Sequence, residues 1–512
     1  MHRALWAGCL FLAMSAAVVA QEAPSLDLLT GDWASDVGQP VRFERAGASR
    51  WRYQRQDAAG RVERGTAWQL GLTFLLKRDE RSGSGVLSRV DAPRRPGEAQ
   101  AGEAYYRFTG GDLVLARGAS RRPGERLSRT RAGGNQLELL VDGPEAYPSM
   151  HRAIASARRS ICVQFFSWFD DQSGQRFADA LIARARAGVQ VKVLMEAFPQ
   201  KGGMGWKTGP YLRAGGVDVR LHHTLSEGLK NSFTGFFRRL WNGLRGKKEP
   251  PREKRGILNH DHRKLLVVDG REAFTGGMNV GDKYEEGTTW HDIHCRVAGP
   301  AVAEMEAMFW DRWRAAGGQG QALPPLGAAQ GGPYPVEVLE NLPGIRLDIT
   351  RRFLEEIERA RGEILIENPY FLYDPVVNAL KRKAGQGVRT IVIVPSNDLN
   401  DEALARDAMF WVQNDIVNAG IDLRKYRERM CHGKVAVFDR RVATLGTTNL
   451  DMLAMERNAE LNLFVPDAGF SRLTIQRVFV PDIAGSDPVR VEKRSWWEKL
   501  KGAVMYAIRG IL

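Results

Sequence analysis

At 512 residues the chain is too long for one ordinary domain of roughly 100 to 200 residues, so several separate cores are expected. With 43% hydrophobic and 26% charged residues, and 13 Trp beside 21 Phe, the composition excludes a disordered or low-complexity chain. The formal charge of +14 calls for a polyanionic partner, either nucleic acid or an anionic membrane.

The first element is a processing signal. A short basic start, Met1-His2-Arg3, leads into an apolar run from Ala4 to Val19 and a small-residue pattern, Val18-Val19-Ala20, ahead of Gln21. Residues 1–20 therefore read as a secretory signal peptide, with an uncleaved membrane anchor as the alternative. The reading predicts an exported protein, periplasmic or secreted. No later run reaches about 18 apolar residues, so no further membrane span is predicted. Cys9 falls in the signal, and the widely spaced Cys162, Cys295 and Cys431 fit neither a disulfide framework nor a zinc motif.

Residues 21–135 read as a β-rich domain. Apolar and polar residues alternate through 41–44, 51–54, 66–70, 106–108 and 113–115, with Gly and Pro between them, which predicts a small antiparallel sheet or partial barrel. From about residue 140 the pattern changes to helices alternating with buried strands, and it runs twice. Residues 157–165 match 360–368, 188–193 match 387–392, and 216–219 match 420–423. Apolar strands reached through helices belong to an α/β sheet covered on both faces. An internal duplication, with repeats at 140–325 and 330–488, accounts for the length.

An insertion at about 222–258 interrupts the first repeat. Phe233, Phe236, Phe237, Leu240, Trp241 and Leu244 fall on one helical face, among nine Lys or Arg and three Glu. Residues 489–512 repeat the arrangement with Trp496, Trp497, Leu500 and Val504 on one face and six Lys or Arg against two Glu. A basic amphipathic helix rich in Phe and Trp reads as an element lying in a membrane interface, with a core-packing helix as the alternative. Phe233, Phe236, Phe237, Trp241, Trp496 and Trp497 are the expected membrane contacts.

The chemistry lies in a repeated motif. His262 and Lys264 with Asp269 form HxKxxxxD, and His432, Lys434 and Asp439 form it again. Each copy runs on into a Gly- and Asn-containing turn that ends at Asn279 or Asn449. On a strand of period two the His and Lys of each copy share a face, where imidazole and ammonium can converge on one anion. Two such strands supply two His and two Lys, a set suited to a tetrahedral phosphate, with the Asn279 and Asn449 amides as further donors. One His can attack phosphorus while the other protonates the departing oxygen and later deprotonates the incoming nucleophile. Each imidazole needs an acceptor on its other nitrogen. Asp292 and Glu460, at similar distances downstream of His262 and His432 respectively, are the candidates. Asp269 and Asp439 fall past the strand ends, where a structural or supporting role is expected. A metal at His260-Asp261-His262 is the competing reading, opposed by the adjacent cation of Lys264. Cys431 is assigned to packing.

Two such motifs in corresponding places of a duplicated chain resemble the phospholipase D superfamily, over roughly residues 140 to 512. Their flanks, Thr275 to Tyr284 and Trp290 to His294, are similar to bacterial cardiolipin synthases. The resemblance implies two phospholipase D-like α-β-α halves sharing one active site, and a phosphohistidine intermediate without a metal or other cofactor. It also implies that His262 is the nucleophile, that His432 is the acid and base, and that the acidic residues lie beside them. The expected activity is phosphatidyl transfer from phosphatidylglycerol to an alcohol. The alternatives are a hydrolytic phospholipase D, then a secreted phosphodiesterase or nuclease, or a lipid-binding module without catalysis. The partners expected are anionic phospholipid and a membrane surface, not nucleic acid.

Overall fold

The computed structural model describes eight strands between residues 31 and 117, then residues 131–197, 207–222, 259–326 and 331–493, with Ser495, Trp496, Glu498 and Tyr506 beyond them. The signal-like residues 1–20, the insertion carrying Phe233, Phe236, Phe237 and Trp241, and Trp497 all lie outside the described residues. Two compact units divide between Leu127 and Ser128.

The first unit is a closed antiparallel barrel of eight strands, β1 (Gly31–Ala34) to β8 (Val114–Arg117), each paired with its neighbour in sequence. Ala34 pairs with Ala116, so the ring closes and is more than the open sheet or partial barrel expected. Closure removes the unpaired edges that an open sheet would present. The alternation missed three of the strands, Gly31–Ala34, Thr73–Arg78 and Ser84–Val90.

The second unit is built on one sixteen-stranded sheet with a near-palindromic order. The unit's first half comprises β9 (Arg131–Val141), β10 (Ser160–Phe165), β11 (Gln190–Glu196), β12 (Asp218–His222), β13 (Leu265–Val268), β14 (Glu272–Gly276) and β16 (Ile293–Ala298), with the two-residue β15 (Trp290–His291) outside this sheet and paired instead with its counterpart Met430–Cys431 in the second half. The second half repeats these as β17 (Tyr334–Leu342), with β18 (Arg346–Leu347) beside its end, β19 (Glu363–Glu367), β20 (Arg389–Pro395), β21 (Asp422–Tyr426), the short β22 (Met430–Cys431), β23 (Val435–Phe438), β24 (Val442–Gly446) and β25 (Glu460–Val465). A last strand, β26 (Ser486–Pro488), pairs with β21 at the far edge. In each half three parallel strands continue through an antiparallel pair. β9 and β17 lie antiparallel at the centre and join the halves into one sheet.

Local rules explain the crossovers. The helix Gln172–Arg186 starts at Asp171, whose carboxylate accepts the Gly174 N–H, and it buries Phe177, Ala178, Leu181 and Ile182 on one face. Arg184 and Arg186 in its last turn complement the helix dipole. β10 is buried at all six positions, as a strand covered on both faces must be. Beneath the β9/β17 junction a continuous core runs from Leu139, Val297 and Phe309 of the first half to Val336, Leu461 and Phe479 of the second. Among the described residues no helix is long and apolar enough to cross a membrane.

Candidate active site

His262, Lys264, His432 and Lys434 all lie in extended segments just ahead of β13 and β23 rather than within the strands, as the period-two argument had placed them. A cross-half pairing flattens each segment. In one, Asp261 bridges Ala459, with the His262 N–H donating to the Ala459 carbonyl at 2.9 Å. In the other, Cys431 pairs with His291, and the His432 N–H donates to the His291 carbonyl at 2.7 Å. The two arrangements are copies of each other.

The pairing decides which acid orients which histidine. Ala459 is followed by Glu460, whose carboxylate lies 2.9 Å from His262 Nδ1, and His291 is followed by Asp292, 2.6 Å from His432 Nδ1. The sequence spacing assigned Asp292 to His262 and Glu460 to His432. The assignment is corrected: each carboxylate serves the histidine of the other half. The reason is topological, since a β-bridge between halves places a residue next to its pairing partner, however distant in sequence. Neither half therefore holds a complete site. Thr447 Oγ1 also donates to Glu460, and the Asp292 carboxylate accepts its neighbour's Ile293 N–H at 2.7 Å.

Lys264 and Lys434 fold back over their own segments, each donating to the carbonyl of its histidine, at 2.7 and 2.6 Å. Lys264 is fully buried against the Phe166 ring, and burial pulls its ammonium well below the ordinary lysine value. Burial also lowers Lys434 to about 8, although Asp292, Asp401 and Glu460 oppose the shift. The two imidazoles are likewise held well below their usual value, first by burial and then by the two lysines. Burial pushes Asp292 up to about 7 and Glu460 well above the usual carboxylate range. Neutral imidazoles whose Nδ1 protons sit on carboxylates direct their Nε2 lone pairs away from those carboxylates. A phosphate bound beside the lysines would supply the counter-charge that burial withholds.

The remaining residues divide by role. Asn279 is committed to the scaffold, since its Oδ1 accepts the Ser167 N–H at 3.0 Å and its Nδ2 donates to the Tyr284 hydroxyl at 2.9 Å. At most one of its amide protons is left for a phosphate. Asn449 is buried beside Asp451, and its carbonyl oxygen accepts no hydrogen bond. Asp269 occupies a turn at φ 52° and accepts the N–H groups of Arg158, Arg159 and Ser160 at 2.8–2.9 Å. Asp439, at φ 49°, does the same for Arg361, Gly362 and Glu363 at 2.7–2.9 Å. Both pin the start of the neighbouring strand, and neither touches the histidines. His260 lies 3.7 Å from Glu196, Asp261 is paired to the fully buried Arg263 at 2.7 Å and His262 to Glu460 at 2.9 Å, so the three residues of the metal reading face different partners. Cys431 is buried. Trp496 is 64% exposed.

Sequence reasoning missed the aromatic wall around the histidines. Phe166 lies edge-on to His262 with ring centroids 4.7 Å apart, and Trp290 lies 4.6 Å from His432 with Tyr284 behind it. Lys283 Nζ sits 3.8 Å above the Trp290 ring. The cluster of Tyr284 and Trp290 on either side of a Gly- and Thr-containing turn was the only available signal.

Residues 150–313 and 353–479 match a family model described as cardiolipin synthase, PLD-like domain. Cardiolipin synthase B of Salmonella typhimurium is 29% identical over 389 residues, covering 73% of this chain and 87% of that protein. Its counterpart in Escherichia coli K12 is 29% identical over 393 residues with the same coverage. Cardiolipin synthase A of Pseudomonas entomophila is 31% identical over 349 residues, covering 66% of each. Among solved structures, a phosphatidylserine synthase of Haemophilus influenzae shares the fold with a TM-score of 0.53 at 15% identity, over 74% of this chain and 95% of that one. Because the matched residues span more than half of the chain and hold both histidine-lysine segments, the chain belongs to the cardiolipin synthase family of phospholipase D-like proteins.

Proposed function

We propose that the protein is a membrane-associated phosphatidyltransferase that moves a phosphatidyl group from phosphatidylglycerol to an alcohol, the hydroxyl of a second phosphatidylglycerol, to form cardiolipin. The observation that carries this is the crossed pair of His–carboxylate couples with two buried lysines around one centre. The anionic phosphodiester, once bound, favours uptake of a proton from solvent on His432 Nε2; His262 Nε2 then attacks phosphorus as the P–O bond to the headgroup glycerol breaks, and His432 gives that oxygen its proton, releasing glycerol and leaving the phosphatidyl group on His262. His432, now neutral, takes the proton of the incoming hydroxyl. That oxygen attacks phosphorus, the P–N bond breaks, and His262 is restored. Lys264 and Lys434 stabilise the charge that accumulates on the non-bridging oxygens. The relatives' names support transfer, and the family resemblance supports this order for the two histidines.

The same centre with water as acceptor is a hydrolytic phospholipase D. Labelled phosphatidylglycerol separates the readings: cardiolipin with free glycerol supports transfer, and phosphatidic acid as the main product overturns it. The basic aromatic segments and the signal-like start support action at the surface of an anionic membrane after export. Fractionation that leaves the protein wholly in the cytosol would overturn that part.

A further inference from the structure

Behind the His432–Lys434 segment lies a second cluster that the reaction does not use. His291, Glu367 and Asp482 are 2%, 0% and 3% exposed, and each brings a ligand atom within 4.8 Å of the others. His291 Nε2 is 3.1 Å from Asp482 Oδ2 and 3.6 Å from Glu367 Oε1. Neither oxygen of Glu367 meets an N–H donor, its polar neighbours being the Cys431 thiol and the Asp482 carboxyl. The cluster lies directly under the catalytic segment, since a Cβ on Gly433 would come within 2.1 Å of Glu367 Oε1.

Asp142 fixes the tautomer. Its carboxylate already accepts the Asp292 N–H at 3.0 Å and pairs with Arg429 at 2.8 Å, so at 2.8 Å from His291 Nδ1 it accepts that proton too. His291 Nε2 is then left facing two carboxylates. An imidazole oriented by a carboxylate on one nitrogen, with acidic donors around the other, is the usual supporting arrangement of a metal-binding histidine. Zinc bonds of roughly 2.0–2.2 Å in a tetrahedron place donor atoms about 3.4 Å apart, between the two distances seen. We infer that His291, Glu367 and Asp482 supply three ligands of a buried site for a divalent transition metal of the zinc class, distinct from the catalytic histidines and lysines.

The three ligands come from β15 in the first half, β19 in the second, and the helix Val480–Ala484. An ion there ties both halves together beside the His291–Cys431 pairing that sets Asp292 against His432. The competing occupant is a proton, shared between the two carboxylates or carried on Nε2. The test is made on full-length protein, stripped with chelator and dialysed against Zn²⁺ or Co²⁺. Wild type should retain about one metal per chain by elemental analysis, show the visible bands of tetrahedral cobalt, and melt at higher temperature when loaded. Glu367→Gln and Asp482→Asn, which keep the shape but remove the charge, should fall to background. Stoichiometric binding that survives in folded Glu367→Gln would overturn the assignment. Should the variants fail to fold, stripped wild type that refolds and takes up no metal would overturn it equally.

Discussion

A histidine that gives its Nδ1 proton to a carboxylate is held in one tautomer and one orientation, and removing the charge costs the reaction far more than the hydrogen bond itself. Replacing Asp292 or Glu460 by its amide should therefore lower kcat by about 10²- to 10⁴-fold. Which step fails tests the crossed pairing. With a substrate whose leaving group needs no proton, Asp292→Asn should still form labelled phosphohistidine on His262, because its defect lies at His432. Glu460→Gln should form it slowly, as its defect lies at the nucleophile. A reversal of the two would restore the assignment drawn from spacing. The lysines set the pH limit. Lys434, lowered to about 8, is charged below that pH and neutral above it. The stabilisation of phosphoryl charge is thus present at neutral pH and lost in alkali, so kcat/KM, which reports free-enzyme groups, should fall as pH rises through about 8. A profile flat to pH 10 would refute this.

At the scale of elements, Asp269 and Asp439 hold the turns from which β10 and β19 start. Each accepts three backbone N–H groups from a backbone conformation that disfavours most side chains. Asp269→Ala should cost about 2 to 3 kcal/mol by denaturant titration, because the site is buried. Asp439→Ala should cost about half of that, since the groups around Asp439 are partly hydrated. Both variants should keep the mechanism in whatever fraction stays folded. These turns were legible in the sequence, because the aspartates stand at a fixed distance after apolar strands in both copies. So was the duplicated sheet, whose buried strands carry an unbroken apolar signal. The crossed carboxylates were not legible. Asp261 and Ala459 meet across the halves, as do His291 and Cys431, and spacing along the chain carries no trace of such bridges. Glu367 was equally hidden, a single acid closing an apolar strand, with ligand partners from the other half and from the helix Val480–Ala484.

Across the whole molecule, the proposed reaction on phosphatidylglycerol requires a lipid surface, and the +14 charge would favour an anionic one. The positive charge is concentrated, with nine Lys or Arg against three Glu in residues 222–258. Each basic residue close to an anionic leaflet adds roughly 1 kcal/mol of attraction. Replacing Lys247 and Lys248 with Gln should therefore weaken binding to phosphatidylglycerol vesicles by about 2 kcal/mol, or roughly 30-fold in partition coefficient. Neither residue belongs to the catalytic centre, so turnover of a soluble short-chain substrate should be unchanged. Salt should separate the two forces proposed to hold the protein at such a surface. The Debye length shrinks from about 10 Å at 0.1 M to about 3 Å at 1 M, so added salt should remove the contribution of these lysines and bring wild type and variant together. Binding that remains at high salt measures the aromatic face and should fall further in Trp241→Ala. Equal flotation of wild type and the double variant at low salt would show that residues 222–258 do not meet the membrane.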